Sequence, residues 1–286
     1  LVLALGCDSG QRSVKIPPAK PGLELSTEDY PTARQRFQTR LLGQGPASTA
    51  GSMPKAPLDA IELFYRSGSL TLKAFASPIG KDRTRKPAVL FLHGGFEFGE
   101  GHWAMTRPFR DAGYVVMVPT LRGENGQPGS FSLFYAEVED VLAAADALAA
   151  RPDVDPRQIF LAGHSVGGTL TMLGALASAR FKAAASFSGS PDQLEFIRGR
   201  PDRVPFDPSK IEEFRLRSPV VFATHFRCPV RLYFGEEEIW LQPSTQRTAI
   251  LARKAGLNVE AIEVEGGHET ANPEVIRQCI EFFRSL

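Results

Sequence analysis

Cysteine is scarce. The 286 residues hold three, Cys7, Cys228 and Cys279, too few and too scattered for a disulfide framework. Two separate thiols are expected at Cys228 and Cys279, since nothing in the sequence brings their segments together. No grouping of cysteine with histidine has metal-ligand spacing, so neither a metal nor another cofactor is expected. An excess of one charge is also missing. Thirty-three Lys and Arg against 32 Asp and Glu leave a formal +1, with both signs interspersed. A phosphate-tracking basic face is therefore absent, and nucleic acid is not an expected partner. No apolar run reaches the length of a membrane-spanning helix. What remains is 43% hydrophobic and 23% charged, in a length that suits one large α/β domain with a short extension.

The first seven residues of "LVLALGCDSG" are apolar, ending in a small residue and a cysteine. They resemble the end of a bacterial lipoprotein signal peptide, with Cys7 as the lipidated residue. Residues 8–57 are rich in Pro, Gly, Ser and charge and read as a linker or surface strap. Within them, Thr27–Leu42 is the one stretch that can hold a helix, capped by Ser26 or Thr27. A lipid on Cys7 followed by such a spacer would hold a domain at the cell envelope of a bacterium, the only membrane contact expected.

From residue 58 to 286 the chain alternates between strand and helix patterns. "IELFYRSGSLTLKAFASP" reads as a β-hairpin, and "KPAVLFLHGG" and "YVVMVPT" as strands buried on both faces. "HWAMTRPFRDAG" reads as a helix closed by Gly113. "FYAEVEDVLAAADALAA" is the clearest helix, with Val138, Val141, Leu142, Ala145, Leu148 and Ala149 on one face. Further strands are expected in "RQIFLAG", "FKAAASFSG", "PVRLYFGEEE" and "NVEAIEVEG", with helices near Thr245–Ala255 and Pro273–Ser285. This alternation implies a mostly parallel central sheet with helices on both faces and a site at the strand carboxyl ends. Residues 190–224, between two core strands, read as a small cap insertion.

One pentad stands at a strand-to-helix junction: Gly163-His164-Ser165-Val166-Gly167, a G-x-S-x-G match. Alone it occurs often by chance, but a strand before it and a helix after it are the context of a strained elbow presenting a nucleophilic serine. A serine hydroxyl needs a base, and the base needs an orienting carboxylate. In this topology the order is serine, acid, histidine. His225 precedes a strand at its amino end, the wrong edge. His268, in the "EGGHE" loop after the last strand, is the expected base. The acid falls in "GEEEIW", where Glu238 is preferred, Glu237 is its main rival, Glu236 is the third member and Asp192 stands in reserve. For the oxyanion hole, Val166 offers one amide and Gly95 or Phe96, in "LHGGF", the other. Phe96, Trp103, Phe131, Phe134 and Trp240 are candidates for the substrate pocket.

The segments "VLFLHGG", "DAGYVVMVPTLRGENG", "DPRQIFLAGHSVGG", "RSPVVFATHFRCPVRLYFGEEE" and "EGGHE" together resemble an α/β-hydrolase. More narrowly, the chain resembles the catalytic domain of the prolyl oligopeptidase family and its dienelactone-hydrolase-like relatives. That resemblance implies Ser165 as nucleophile, Glu238 as acid and His268 as base. It departs in two respects, the first being that the family usually carries aspartate at the position of Glu238. The peptidases also place a β-propeller ahead of this domain, whereas about eighty-five residues precede the core here. The expected activity is therefore a carboxylesterase-like serine hydrolase acting on a small ester. A serine peptidase acting on short peptides or aminoacyl amides is the alternative. A hydrolase-like binding protein without turnover and an acyl transferase are further readings.

Overall fold

Runs such as Ala88–Leu92 and Val115–Val118 carry no charge and bury both faces. Successive side chains on a strand point to opposite sides, so each run must feed two separate cores. A computed structural model, which describes residues 23–45, 47, 53, 55–80, 84–198 and 204–286, shows this directly. In β3 (Lys86–Leu92), Ala88, Leu90 and Leu92 pack into one core and Val89 and Phe91 into the other. The signal-like stretch and its candidate lipidation site, Cys7, lie outside the described residues.

Among the described residues the sheet has eight strands. A hairpin of β1 (Ile61–Ser67) and β2 (Leu70–Ala76) turns at Gly68, whose φ of 57° suits glycine. Then come β3, β4 (Val115–Pro119), β5 (Val154–His164), β6 (Ala183–Phe187), β7 (Val230–Gly235) and β8 (Val259–Val264). Their spatial order is β1-β2-β4-β3-β5-β6-β7-β8. Among the described strands of this sheet, only the β1/β2 and β2/β4 pairs are antiparallel. The long β5 lies in the middle of the parallel region, so its carboxyl end is flanked by those of β3 and β6.

Helices cover both faces. On one side are α4 (Glu137–Ala149), α5 (Val166–Ala177) and α8 (Gln242–Lys254). Helices α3 (Arg107–Asp111) and α9 (Asn272–Arg284) cover the other. Between β6 and β7, the segment expected to form a cap holds α6 (Gln193–Arg198), α7 (Ile211–Arg215) and a 3-10 segment, Pro219–His225. Cys228 belongs to the first core and Cys279 to the second, on opposite sides of the sheet, and both are free thiols.

Two helices depart from expectation. The strap helix α1 is only Tyr30–Gln35, not Thr27–Leu42. Its cap is Asp29, whose carboxylate accepts the Thr32 N–H at 2.9 Å, in place of Ser26 or Thr27. Beyond it the chain is drawn to partners elsewhere: Tyr135 Oη donates to the Phe37 carbonyl, and Thr39 Oγ1 donates to the Glu213 carboxylate. Tertiary bonds override the local preference. The segment "HWAMTRPFRDAG" is two short helices, α2 (Glu100–Met105) and α3, parted at Thr106. Pro108 has no N–H to continue the α2 ladder, so it opens the second helix.

In the second core, Phe283 of α9 stacks on Phe160 of β5 with ring centroids 4.5 Å apart. Phe283→Ala should therefore lower unfolding stability by about 3–5 kcal/mol in urea denaturation; a loss under about 1 kcal/mol would contradict this packing.

Candidate active site

Three sheet-edge loops meet over the carboxyl end of β5. Ser165 joins β5 to α5 with φ 55° and ψ −114°, a conformation side chains rarely adopt. Its N–H donates to the Phe187 carbonyl of β6 at 2.7 Å, which pins the turn to the neighbouring strand. The flanking glycines permit that crowding. A Cβ on Gly167 would stand 2.0 Å from the Leu92 carbonyl oxygen, and one on Gly163 2.5 Å from that of Gly167. Both contacts are with backbone and cannot be relieved by rotating a side chain.

His268 follows β8 on a loop turned by Gly266, where φ is 103°. Its Nε2 lies 2.9 Å from Ser165 Oγ, and its Nδ1 lies 2.7 Å from Glu238 Oε1. The carbonyl of His268 accepts a hydrogen bond from His164 Nε2 at 2.9 Å. His164 thus positions the backbone of the loop, and burial lowers its pKa despite that bond.

Of the three successive glutamates, Glu236 and Glu237 are exposed and Glu238 is buried. A turn closed by the Glu238 N–H on the Gly235 carbonyl, 2.9 Å, sends the third side chain inward. Its second oxygen, Oε2, accepts from Ser188 Oγ at 2.5 Å and from the Gly235 N–H at 2.8 Å. Burial pushes this carboxyl up, but the bonds from His268, Ser188 and Gly235 outweigh it and hold its pKa below the ordinary value. Asp192 is elsewhere engaged: it caps α6, accepting the N–H groups of Leu194 and Glu195.

Val166 is the first residue of α5, so its amide has no intrahelical carbonyl. Opposite it, the loop after β3 lies so close that a Cβ on Gly94 would come within 3.4 Å of Ser165 Cβ. Gly95 and Phe96 share with Ser165 a cavity of about 660 Å³. His93 braces this loop, with Nδ1 donating to the Gly94 carbonyl at 2.9 Å and Nε2 3.1 Å from the Glu124 carboxylate. Burial disfavours charge on this ring, but Glu124 and Gly94 outweigh it and raise its pKa. The stacked neighbour, His102, is pushed by burial down to about 3 and is neutral at physiological pH.

On the other side of Ser165 is a cavity of about 350 Å³, walled by Phe134, Val166, Phe196 and Trp240, with polar groups from Thr169 and Ser190. The pocket candidates divide accordingly. Phe134 and Trp240 line this cavity and Phe96 the other. Phe131 is buried behind them, edge-on to Phe96 and Phe134, and lines neither. Trp103 lines neither cavity. It sits in α2, buried, with Nε1 donating to Asp59 at 2.8 Å and Arg110 over its ring. An apolar aromatic with one polar edge found a partner away from the site.

Ser188 and Phe196 have no sequence signal of their own. A lone serine after a strand and one phenylalanine in a charged cap look like many others. Among the described residues, His164, His268 and Glu269 bring potential metal-binding atoms within 4.8 Å of one another. Both nitrogens of His268 are engaged and His164 Nε2 donates, so a metal would have to dismantle those bonds.

Residues 89–268, well over half of the chain, match the alpha/beta hydrolase family, and the chain belongs to it. Among curated proteins it is similar to YtmA of Bacillus subtilis, named an uncharacterized peptidase, with 28% identity over 52% of this chain and 62% of that one. It is also similar to YuxL of the same organism, likewise named an uncharacterized peptidase, with 26% identity over 54% of this chain and 26% of that one. The chain thus spans less than two thirds of both curated relatives. Among solved structures, the acylaminoacyl peptidase of Pyrococcus horikoshii superposes with a TM-score of 0.65 at 22% identity, covering 79% of this chain and 41% of that one. An esterase of Pyrococcus furiosus superposes with a TM-score of 0.66 at 15% identity, covering 86% and 98%. At such identities these likenesses speak for the fold.

Because the folded pKa of Glu238 is lowered, its stabilising contribution is complete above the ordinary carboxylate range and is lost as pH falls through the lowered value. The stability advantage of wild type over Glu238→Gln should therefore shrink between about pH 7 and about pH 3 in urea titrations. An advantage that grows on acidification would contradict the hydrogen-bonding described.

Proposed function

We propose that the chain is a serine hydrolase that cleaves small esters through an acyl-enzyme on Ser165. The observation that carries this reading is the unbroken chain Ser165 Oγ–His268 Nε2, His268 Nδ1–Glu238 Oε1, ending on a buried carboxylate. Ser165 Oγ attacks the ester carbonyl carbon as its proton passes to His268 Nε2. Negative charge gathers on the carbonyl oxygen, within reach of the amides of Val166 and of Gly95 or Phe96. His268 then returns the proton to the departing alkoxide, and the carbon–oxygen bond to the alcohol breaks. Water repeats the sequence on the acyl-enzyme, giving the acid and free Ser165. Glu238 stays ionised throughout; it fixes the His268 tautomer and stabilises the imidazolium.

Glutamate stands here where the family that the sequence resembles usually carries aspartate. Ser188 and the Gly235 amide hold the far oxygen, so the longer side chain is not loose. The cavity walled by Phe134, Phe196 and Trp240 suits an apolar acyl group. Cleavage of aminoacyl amides is the second reading, favoured by the peptidase names of both curated relatives. A panel of acyl nitrophenyl esters beside aminoacyl nitroanilides separates the two, and the proposal expects the larger kcat/KM on esters.

Ser165→Ala should remove hydrolysis of every substrate in that panel by several orders of magnitude while leaving the fold intact. Glu238→Gln should lower kcat by about 10³- to 10⁴-fold, and Glu236→Gln and Glu237→Gln by less than about tenfold. An active Ser165→Ala variant would sink the assignment. A deep loss at Glu237 with a mild one at Glu238 would move the acid by one place.

A further inference from the structure

The loop between β4 and α4 carries a second backbone anomaly. Leu133 and Phe134 are consecutive, buried and left-handed, with φ of 58° and 70°. Neither is glycine, and such residues persist only where their surroundings hold them there. Phe134 is also a wall of the cavity beside Ser165, its ring edge-on to Phe196 of the cap at 6.0 Å.

What holds the pair begins one residue earlier. The N–H and hydroxyl of Ser132 both donate to the buried Glu137 carboxylate, at 2.6 and 2.9 Å. The Ser132 carbonyl accepts two N–H groups of Arg217, Nε at 3.2 Å and Nη2 at 3.0 Å. That carbonyl belongs to the peptide unit that enters Leu133, so its orientation sets the φ of Leu133. Arg217 is fully buried. Its remaining bonds go to Glu213 (Oε2 at 2.6 Å, carbonyl at 2.8 Å) and to Thr39 Oγ1 at 2.8 Å, and its guanidinium lies over Phe206 at 4.1 Å. One side chain thereby joins strap, cap and pocket loop.

A buried arginine is a costly way to fill space, and well-packed apolar residues usually serve as well or better. What a planar fork supplies is direction: two parallel donors fix the plane of the group they meet. None of the catalytic steps proposed above uses Arg217.

We propose that Arg217 is a positioning residue that, through the Ser132 carbonyl, holds Leu133 and Phe134 left-handed and so sets which substrate group the cavity beside Ser165 admits. This deepens the serine-hydrolase reading and rests on it. The strap takes part, because Thr39 bonds both to Arg217 and to its partner Glu213. With the clamp removed, Phe134 relaxes towards ordinary backbone angles and the wall it forms recedes.

The test compares purified full chains of wild type, Arg217→Met, Arg217→Lys, Phe134→Ala and the double variant Arg217→Met/Phe134→Ala on nitrophenyl acetate, butyrate and octanoate. Arg217→Met should change the octanoate-to-acetate ratio of kcat/KM by about fivefold or more, through KM, with kcat on acetate held within about threefold. Arg217→Lys should restore part of the wild-type ratio. Phe134→Ala should shift the ratio in the same sense, and the double variant should add less than about twofold to the larger single effect. If Arg217→Met does not fold, Thr39→Val, which takes one acceptor from the same guanidinium, is read by the same ratio. Labelling of Ser165 by a fluorophosphonate keeps the two levels apart. Intact labelling with an unchanged ratio, or single effects that multiply in the double variant, overturns the positioning role alone; a wild-type chain that neither labels nor hydrolyses any ester overturns the hydrolase reading and this proposal with it.

Discussion

Ser165 sits in a backbone conformation that an isolated peptide would leave at once, and much of the surrounding fold exists to prevent that. Strand β5 occupies the middle of the parallel sheet, so strands on both sides restrain it before the turn begins. The hydrogen bond from Ser165 N–H to Phe187 ties the turn to β6, and the close approach of Gly167 to Leu92 ties it to β3. Helix α5 follows, buried from Val166 to Leu176, and cannot swing away without opening the first core. Strain of this kind survives only where the surroundings over-determine it.

The polar part of the site obeys the same logic in electrostatic form. A carboxylate taken out of water is costly unless its oxygens are matched by donors. Glu238 has three, from three segments: His268 after β8, Ser188 after β6 and the Gly235 amide at the end of β7. Each donor is set by a strand end, so sheet register and site geometry are one constraint. His164 adds a fourth link, since the residue just before Ser165 holds the carbonyl of His268. Serine and histidine, 103 positions apart in sequence, are thereby fixed through backbone as well as side chain.

How far the sequence could be read follows from range. Strands β3 and β4 were legible because burial on both faces leaves an apolar run, and α4 because its apolar residues repeat at helical spacing. Ser165, His268 and Glu238 could be nominated because each stands at a strand end marked by glycine. What failed were features decided by distant partners. Helix α1 stops early because Tyr135 and Glu213 claim the residues after it. Trp103 turns to Asp59, and Phe131 stands behind the pocket instead of in it. Ser188 and Phe196 carry no local pattern, and although Arg217 opens a segment that carries the family resemblance, only the folded chain reveals what these three touch.

The central claim is that Ser165 forms a covalent bond with the acyl group of the substrate. Rapid quenching of the wild-type chain during turnover of a slowly hydrolysed nitrophenyl ester, followed by peptide mass spectrometry, tests this most directly. The expected result is an added acyl mass on the peptide that contains Ser165, appearing with a burst of nitrophenol and disappearing as substrate is exhausted. Turnover with no acylated peptide, or with the acyl group on a residue other than Ser165, would contradict it.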